Sequence, residues 1–310
     1  MARLPLVTGA TGFAGGHLVA LLVSGGARAQ AWAHRAAPGH SGEAVEWTAV
    51  DLLDRRAVRD ALEAANPSAI YHCAGIADVR DAWSAPAYAL RVNALGTHHL
   101  LESARELGLQ CRVLVTGSAL VYRPSLEAIT EDDPIGPGTP YGVSKLAQEM
   151  AARESVLDTL LARPFNHAGP GQSPAYATSA FAQQIAEIEA GRREPVLRVG
   201  NLDAKRDITD VRDTVRAYHA LVEGGAPRRP YNVCSGRTYS MRALLDILLS
   251  FARVRLRVET DPGRLRPSDT PVVHGSHARL TAETGWAPQI PIEQTLSDLL
   301  DYWRARGSAS

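Results

Sequence analysis

The sequence predicts a doubly wound α/β fold, a parallel sheet with helices on both faces, followed by a smaller second α/β domain. Three observations carry this. The first half repeats one theme, a short apolar run, a turn and an amphipathic helical pattern. A glycine-rich turn, Gly9-Ala10-Thr11-Gly12-Phe13-Ala14-Gly15, joins the first apolar run to the first helical stripe. After Arg163 the texture changes to a Pro/Gly-rich stretch, Pro164 to Pro174, then to shorter elements separated by prolines.

Taken in order, the expected strands are Leu4 to Thr8, Arg28 to Ala33, Val45 to Val50, Ala69 to Ala74, Cys111 to Thr116 and Thr159 to Arg163. Between them the helical periodicity runs over Phe13 to Ser24, Asp54 to Ala65, Ala87 to Leu107 and Tyr141 to Glu154. Right-handed crossovers then give the doubly wound order. The division falls at residues 1–165 and 166–310, with some later segments expected to return to the first domain. There is no internal repeat, low-complexity tract or charge run.

Composition narrows the function classes. The 33 lysines and arginines balance 33 aspartates and glutamates, so no basic field gathers nucleic acid or anionic lipid, and a charged ligand has to be met locally. Cys73, Cys111 and Cys234 are isolated in apolar contexts, the pattern of reduced thiols in the cytosol. No apolar stretch approaches the roughly 20 residues that span a bilayer, and no signal-peptide pattern opens the chain. The expectation is a cytoplasmic protein. His98 and His99 are adjacent and face different directions on a helix, so no metal site is expected.

The glycine turn follows a strand and opens a helix with an apolar stripe through Leu18, Leu21 and Leu22. Glycines let the backbone approach a pyrophosphate, whose charge meets free N–H groups and the positive end of the helix dipole. A Rossmann-type dinucleotide site is therefore expected, with Gly9, Thr11, Gly12 and Phe13 in its turn. The second strand ends Ala33-His34-Arg35 with no acid to hold ribose hydroxyls. Arg35 is placed to pair with a 2′-phosphate, which favours NADP, with NAD as the alternative. Asp51-Leu52 after the third strand is placed for the adenine edge, and Ala74 and Gly75 after the fourth for the cofactor's other flank.

The chemical site is read from Tyr141-Gly142-Val143-Ser144-Lys145, a phenol and an ammonium one helical turn apart. A nearby cation favours phenolate and so tunes the tyrosine for proton transfer. The lysine also has reach to the nicotinamide ribose, so Tyr141 and Lys145 are expected among the cofactor-binding residues as well. With nine tyrosines and only two lysines, Lys145 and Lys205, about 0.06 such pairs arise by chance. Ser118 follows the strand Cys111 to Thr116, at the end where a doubly wound sheet presents its active groups, and is placed to hydrogen-bond the oxygen that Tyr141 protonates.

Together these residues resemble the extended short-chain dehydrogenases/reductases over nearly the whole chain: the Gly9, Gly12, Gly15 pattern, the Ser118, Tyr141, Lys145 triad and the segment Val92-Asn93-Ala94-Leu95-Gly96-Thr97. The resemblance puts Asn93 with the cofactor-binding residues. Arg163 to Gln172, Gly200 to Asp207 and Arg266-Pro267-Ser268-Asp269 are similar to the branch of GDP-mannose 4,6-dehydratases and GDP-4-keto-6-deoxy-mannose reductases. It implies a carboxyl-terminal nucleotide-sugar-binding domain in which Asn166 contacts sugar or diphosphate, Asn201 joins the substrate residues, Arg206 and Arg266 neutralise the diphosphate, and Asp269 takes ribose hydroxyls.

The dehydratases of that branch carry a glutamate shortly after the catalytic Ser or Thr, whereas Ala119, Leu120 and Val121 follow Ser118 here. None moves a proton. The resemblance therefore implies reduction of GDP-4-keto-6-deoxy-D-mannose, to GDP-D-rhamnose or its 4-epimer GDP-6-deoxy-talose. A nucleotide-sugar 4-epimerase, a 4,6-dehydratase and a non-catalytic NADP sensor are the ranked alternatives. As in relatives, helices Ala87 to Leu107 and Tyr141 to Glu154 are expected to pair across a two-fold axis in a homodimer.

Overall fold

The computed structural model describes residues 3–35, 44–264 and 270–307. The first part alternates strand and helix: β1 (Leu6–Thr8), α1 (Phe13–Ser24), β2 (Ala29–Ala33), β3 (Val45–Ala49), α2 (Arg55–Ala65) and β4 (Ala69–His72). There follow α3 (Val79–Ser84), α4 (Pro86–Leu90), a π-helical turn over Arg91–Leu95, α5 (Gly96–Glu106), β5 (Arg112–Thr116), a 3-10 turn over Ala119–Val121, α6 (Pro140–Arg153) and β6 (Thr159–Pro164). The second part comprises β7 (Asn166–Ala168), α7 (Ala177–Glu189), β8 (Val196–Val199), β9 (Lys205–Asp210), α8 (Val211–Gly224) and β10 (Pro230–Val233). It ends with β11 (Thr238–Ser240), α9 (Met241–Ser250), β12 (Arg257–Thr260), β13 (Val272–Val273), α10 (Ala278–Thr284) and α11 (Ile292–Gly307).

Seven parallel strands form the main sheet in the order β10-β6-β5-β4-β1-β2-β3. The order reverses direction between β1 and β4, the position where a doubly wound sheet opens its ligand crevice. Consecutive strand residues serve opposite faces, so the central strands β1, β4, β5 and β6 bury apolar side chains on both, whereas the edge strand β3 is largely exposed. Val7, Tyr71, Leu114 and Leu160 pack with Leu18 of α1 and Tyr218 and Leu221 of α8. Their neighbours Leu6, Ile70, Val113 and Leu161 pack on the other face with Leu62 of α2 and Leu100 of α5. A separate core lies between α7, α9 and α11 and the strands β8 and β9.

The chain does not stay on one side of residue 165. It leaves the sheet after β6, builds β7 to β9, then returns as α8, which covers α1, and as β10, which completes the sheet beside β6. The expected helix Ala87 to Leu107 is one continuous helical run interrupted by the π turn at Arg91–Leu95, which turns Asn93 fully inward. β4 ends two residues earlier than expected, because the chain bends away through Gly75, whose φ is +154°. A Cβ there would sit 2.6 Å from Asn93 Oδ1.

No helix among the described residues is long and apolar enough to cross a membrane, and among them no group of three or more His, Cys, Asp and Glu side chains is arranged to hold a metal ion.

Candidate active site

A single continuous cavity of about 1330 Å³ runs from the β1/β4 crevice to the second part of the chain. Gly9, Thr11, Gly12 and Phe13 wall one end together with His34, Asp51, Leu52, Ala74 and Gly75; Ser118, Tyr141 and Lys145 line the middle; Asn166, Asn201 and Arg206 line the far end.

The wall at the first end fits a dinucleotide. Gly9 has φ +66° and a Cβ on it would lie 2.6 Å from the Ala74 backbone, while a Cβ on Gly15 would overlap the Gly9 carbonyl. Bare backbone thus brings β1, β4 and the start of α1 close together and turns the positive end of that helix to the cavity. Arg35 lies exposed at the end of β2, just outside the cavity wall, whereas its neighbour His34 lines it, with Nδ1 3.9 Å from Asp51 Oδ1.

The catalytic candidates are placed by α6 and the end of β5. Thr139 caps α6, its Oγ1 accepting from the Gly142 N–H at 3.0 Å, and Pro140 fixes the first helical residue. A Cβ on Gly142 would overlap the Leu120 carbonyl, so glycine lets the first turn of α6 press against the 3-10 turn that Ser118 caps. The Ser118 hydroxyl accepts from the Leu120 N–H at 3.1 Å and lies beside the Tyr141 phenol. Burial raises the Tyr141 pKa well above the usual phenol value, opposed by the contact with Ser118.

α6 is anchored from behind by a buried ion pair. Glu149 receives Arg163 Nε at 2.8 Å and Nη2 at 2.6 Å, and Arg163 Nη1 also donates to the Tyr122 hydroxyl at 2.6 Å.

Lys145 lines the cavity with Tyr141 and has two further partners that helical spacing does not reveal. Its ammonium lies 6.0 Å from the Tyr141 ring centroid and donates to the Thr116 carbonyl and to Gln148 Oε1, both at 2.9 Å. Burial pushes its pKa down to about 8.

Asn93, grouped with the cofactor residues, does not line the cavity. It is fully buried, its amide accepts from the Ile76 N–H at 2.7 Å and donates to the Ile76 carbonyl and the Ser144 hydroxyl, so it shapes the chain after Gly75 from within. Arg266 and Asp269 lie outside the described residues. Sequence reasoning missed Asp78, Arg80, Trp83, Tyr176 and Arg264, all on the cavity wall. They sit in loops or short helices without periodic signal; the Arg264-Leu265-Arg266 spacing was the one available hint. The acids on the wall among the described residues are Asp51, at the adenine end, and Asp78, paired with Arg80 at 2.6 Å.

The family described as GDP-mannose 4,6 dehydratase matches residues 6–299. The chain is 37% identical over 313 residues to GDP-6-deoxy-D-mannose reductase of Pseudomonas aeruginosa, covering 99% of each. It is similar in structure to RMD from Pseudomonas aeruginosa complexed with NADPH, with a TM-score of 0.85, 35% identity, and coverage of 98% of this chain and 100% of that one. UDP-glucose 4-epimerase of Thermus thermophilus, in complex with NAD, gives a TM-score of 0.84 at 26% identity over 97% of this chain and 98% of that one.

Proposed function

Since this chain belongs to the GDP-mannose 4,6-dehydratase family of extended short-chain dehydrogenases/reductases, we propose that it reduces the 4-keto group of GDP-4-keto-6-deoxy-D-mannose with NADPH, giving GDP-D-rhamnose. The observation that carries this reading is the cavity wall beside Ser118. Elimination of water from the sugar needs a further acid/base there, and Ala119, Leu120 and Val121 supply none, while both wall acids are engaged or distant. A reduction needs only one proton donor.

NADPH, when bound, supplies the hydride. Gly9, Thr11, Gly12 and Phe13 would hold its pyrophosphate, Asp51 and Leu52 its adenine edge, and Ala74, Gly75 and Lys145 its nicotinamide half. Tyr141, whose raised pKa keeps it protonated at neutral pH, gives its hydroxyl proton to the sugar's C4 oxygen. Ser118 orients that oxygen. The Lys145 ammonium favours the phenolate left behind, so turnover falls as pH rises through about 8, where that charge is lost. Asn166 and Asn201 bind the sugar nucleotide, and Arg206 with Arg264 offers forked donors to the diphosphate.

The test is absorbance at 340 nm with GDP-4-keto-6-deoxy-D-mannose and either NADPH or NADH. Rapid oxidation of NADPH is expected, with NADH slower. Arg35→Ala is expected to raise the KM for NADPH about tenfold and leave that for NADH in place, as loss of one charge-assisted phosphate contact does. No oxidation of either cofactor by folded protein, with NAD found tightly bound, moves a 4-epimerase ahead.

The protein is expected to act as a homodimer. Leu90 (43% exposed) and Leu95 (40%) are exposed on the α4–α5 run, and Val143 (49%) and Met150 (58%), seven residues apart, are exposed on one face of α6, which packs against that run. Sedimentation equilibrium should return twice the 33.2 kDa chain mass, and Met150→Glu together with Val143→Glu should return the monomer.

A further inference from the structure

Behind the proton donor lies a closed chain of buried polar groups that the mechanism above does not use. His72, at the end of β4, is fully buried between Thr8 Oγ1 at 2.8 Å from its Nδ1 and Thr97 Oγ1 at 2.8 Å from its Nε2. Thr97 Oγ1 also lies 2.6 Å from the Asn93 carbonyl and receives Gln148 Nε2 at 3.0 Å. Gln148 Oε1 lies 2.9 Å from Lys145 Nζ.

The donors and acceptors of this chain assign themselves. A hydroxyl has one proton, and that of Thr97 goes to the Asn93 carbonyl, which can only accept. Thr97 Oγ1 therefore accepts from both His72 Nε2–H and the Gln148 amide N–H. His72 is then neutral with a bare Nδ1, which accepts the Thr8 hydroxyl; burial pushes its pKa down to about 3, in keeping with that form. With its nitrogen committed to Thr97, Gln148 has only its carbonyl oxygen to turn toward Lys145. The reverse orientation would set an N–H₂ against an ammonium.

We propose that Gln148 is a positioning residue of the reaction: oriented by Thr97 and His72, it presents its carbonyl oxygen to Lys145 and keeps that ammonium charged and in place beside Tyr141. The need is physical. The titratable groups that face Lys145 are Tyr141 on its own helix and His72 and Cys73 at the end of β4, with Tyr218 of α8 behind Cys73. None is a carboxylate, and no ion pair to Lys145 exists among the described residues. A cation buried to 4% exposure without a counter-ion keeps its proton only through neutral acceptors, here the Thr116 carbonyl and Gln148. The inference rests on the reading of Tyr141 and Lys145 as proton donor and supporting cation.

The chain's two lysines make the test direct, because protein labelled with ¹³C at lysine Cε gives one signal for Lys145 and one for Lys205. In the cofactor-free protein, Gln148→Glu is expected to raise the Lys145 titration midpoint by about one pH unit and Gln148→Leu to lower it by as much, a tenfold change in acid dissociation either way. Lys205 serves as the unmoved reference. The alkaline limb of the turnover profile should shift with the midpoint in each variant. If leucine prevents folding, the isosteric glutamate decides alone. A Lys145 midpoint that stays in place, or one that moves while the turnover profile does not, overturns the inference. Wild-type protein that oxidises no cofactor with the keto sugar sinks the proposed reaction instead, and leaves the titration standing.

Discussion

Tyr141→Phe is expected to lower turnover of the keto sugar by roughly 10²- to 10⁴-fold, the range that a positioned general acid contributes. The ring is buried, so the loss of one oxygen from a packed aromatic leaves the fold intact. Two controls separate chemistry from structure. NADPH affinity, read by quenching of cofactor fluorescence, should match that of the wild type, since the pyrophosphate turn, Asp51 and Leu52 are untouched. The thermal midpoint should stay within a few degrees. A variant that keeps wild-type turnover would remove Tyr141 from the reaction and point to a proton delivered by water or by Ser118.

The second large effect is on stability. Arg163 and Glu149 are each 2% exposed and meet through two hydrogen bonds. Glu149→Gln keeps the shape and removes the charge, leaving a buried guanidinium without its counter-ion, a loss of about 3–5 kcal/mol. At roughly 2–4 °C per kcal/mol for a chain somewhat shorter than this one, the melting temperature read by circular dichroism should fall by about 10 °C. Arg163→Met in the same protein should restore part of that loss, because replacing both members of a buried pair by apolar groups is close to neutral. A double variant less stable than Glu149→Gln alone would show instead that Arg163 is held by Tyr122, whose ring lies 4.6 Å from its guanidinium and whose hydroxyl it donates to.

What sequence reading recovered depends on the range over which each signal acts. α1 was legible to the residue, Phe13–Ser24, because glycine spacing, strand and helical stripe all lie within one short segment. Ser118, Tyr141 and Lys145 reach one cavity because two local rules, the end of a strand and the i, i+4 face of a helix, point to the same place. The role given to Lys145 was incomplete for the same reason. Helical spacing says that Tyr141 and Lys145 share a face; it says nothing of Thr116 or of Thr97 and His72, which arrive from other elements. Gln148 was overlooked although it stands three residues from Lys145, since an amide's orientation is fixed by partners distant in sequence. Asn93 was grouped with the cofactor because its segment resembled the family's, and a π turn, which adds a residue to the helical repeat, carries it inside instead.

The closing strand of the main sheet, β10, has a consequence for how the chain reaches its native state. Between Pro164 at the end of β6 and Pro230 at the start of β10, synthesis passes through α7, β8 and β9 of the second core, whose helices α9 and α11 are still to come, before the sheet acquires its last edge. Until then β6 offers a row of unpaired backbone groups, and α1 lacks the cover of α8. Such pairings close late, because loop entropy is lost before the contacts repay it. A cut placed at the break in sequence texture near residue 165 removes both β10 and α8, and is therefore expected to leave an open, sticky edge on β6 rather than a free-standing nucleotide-binding half.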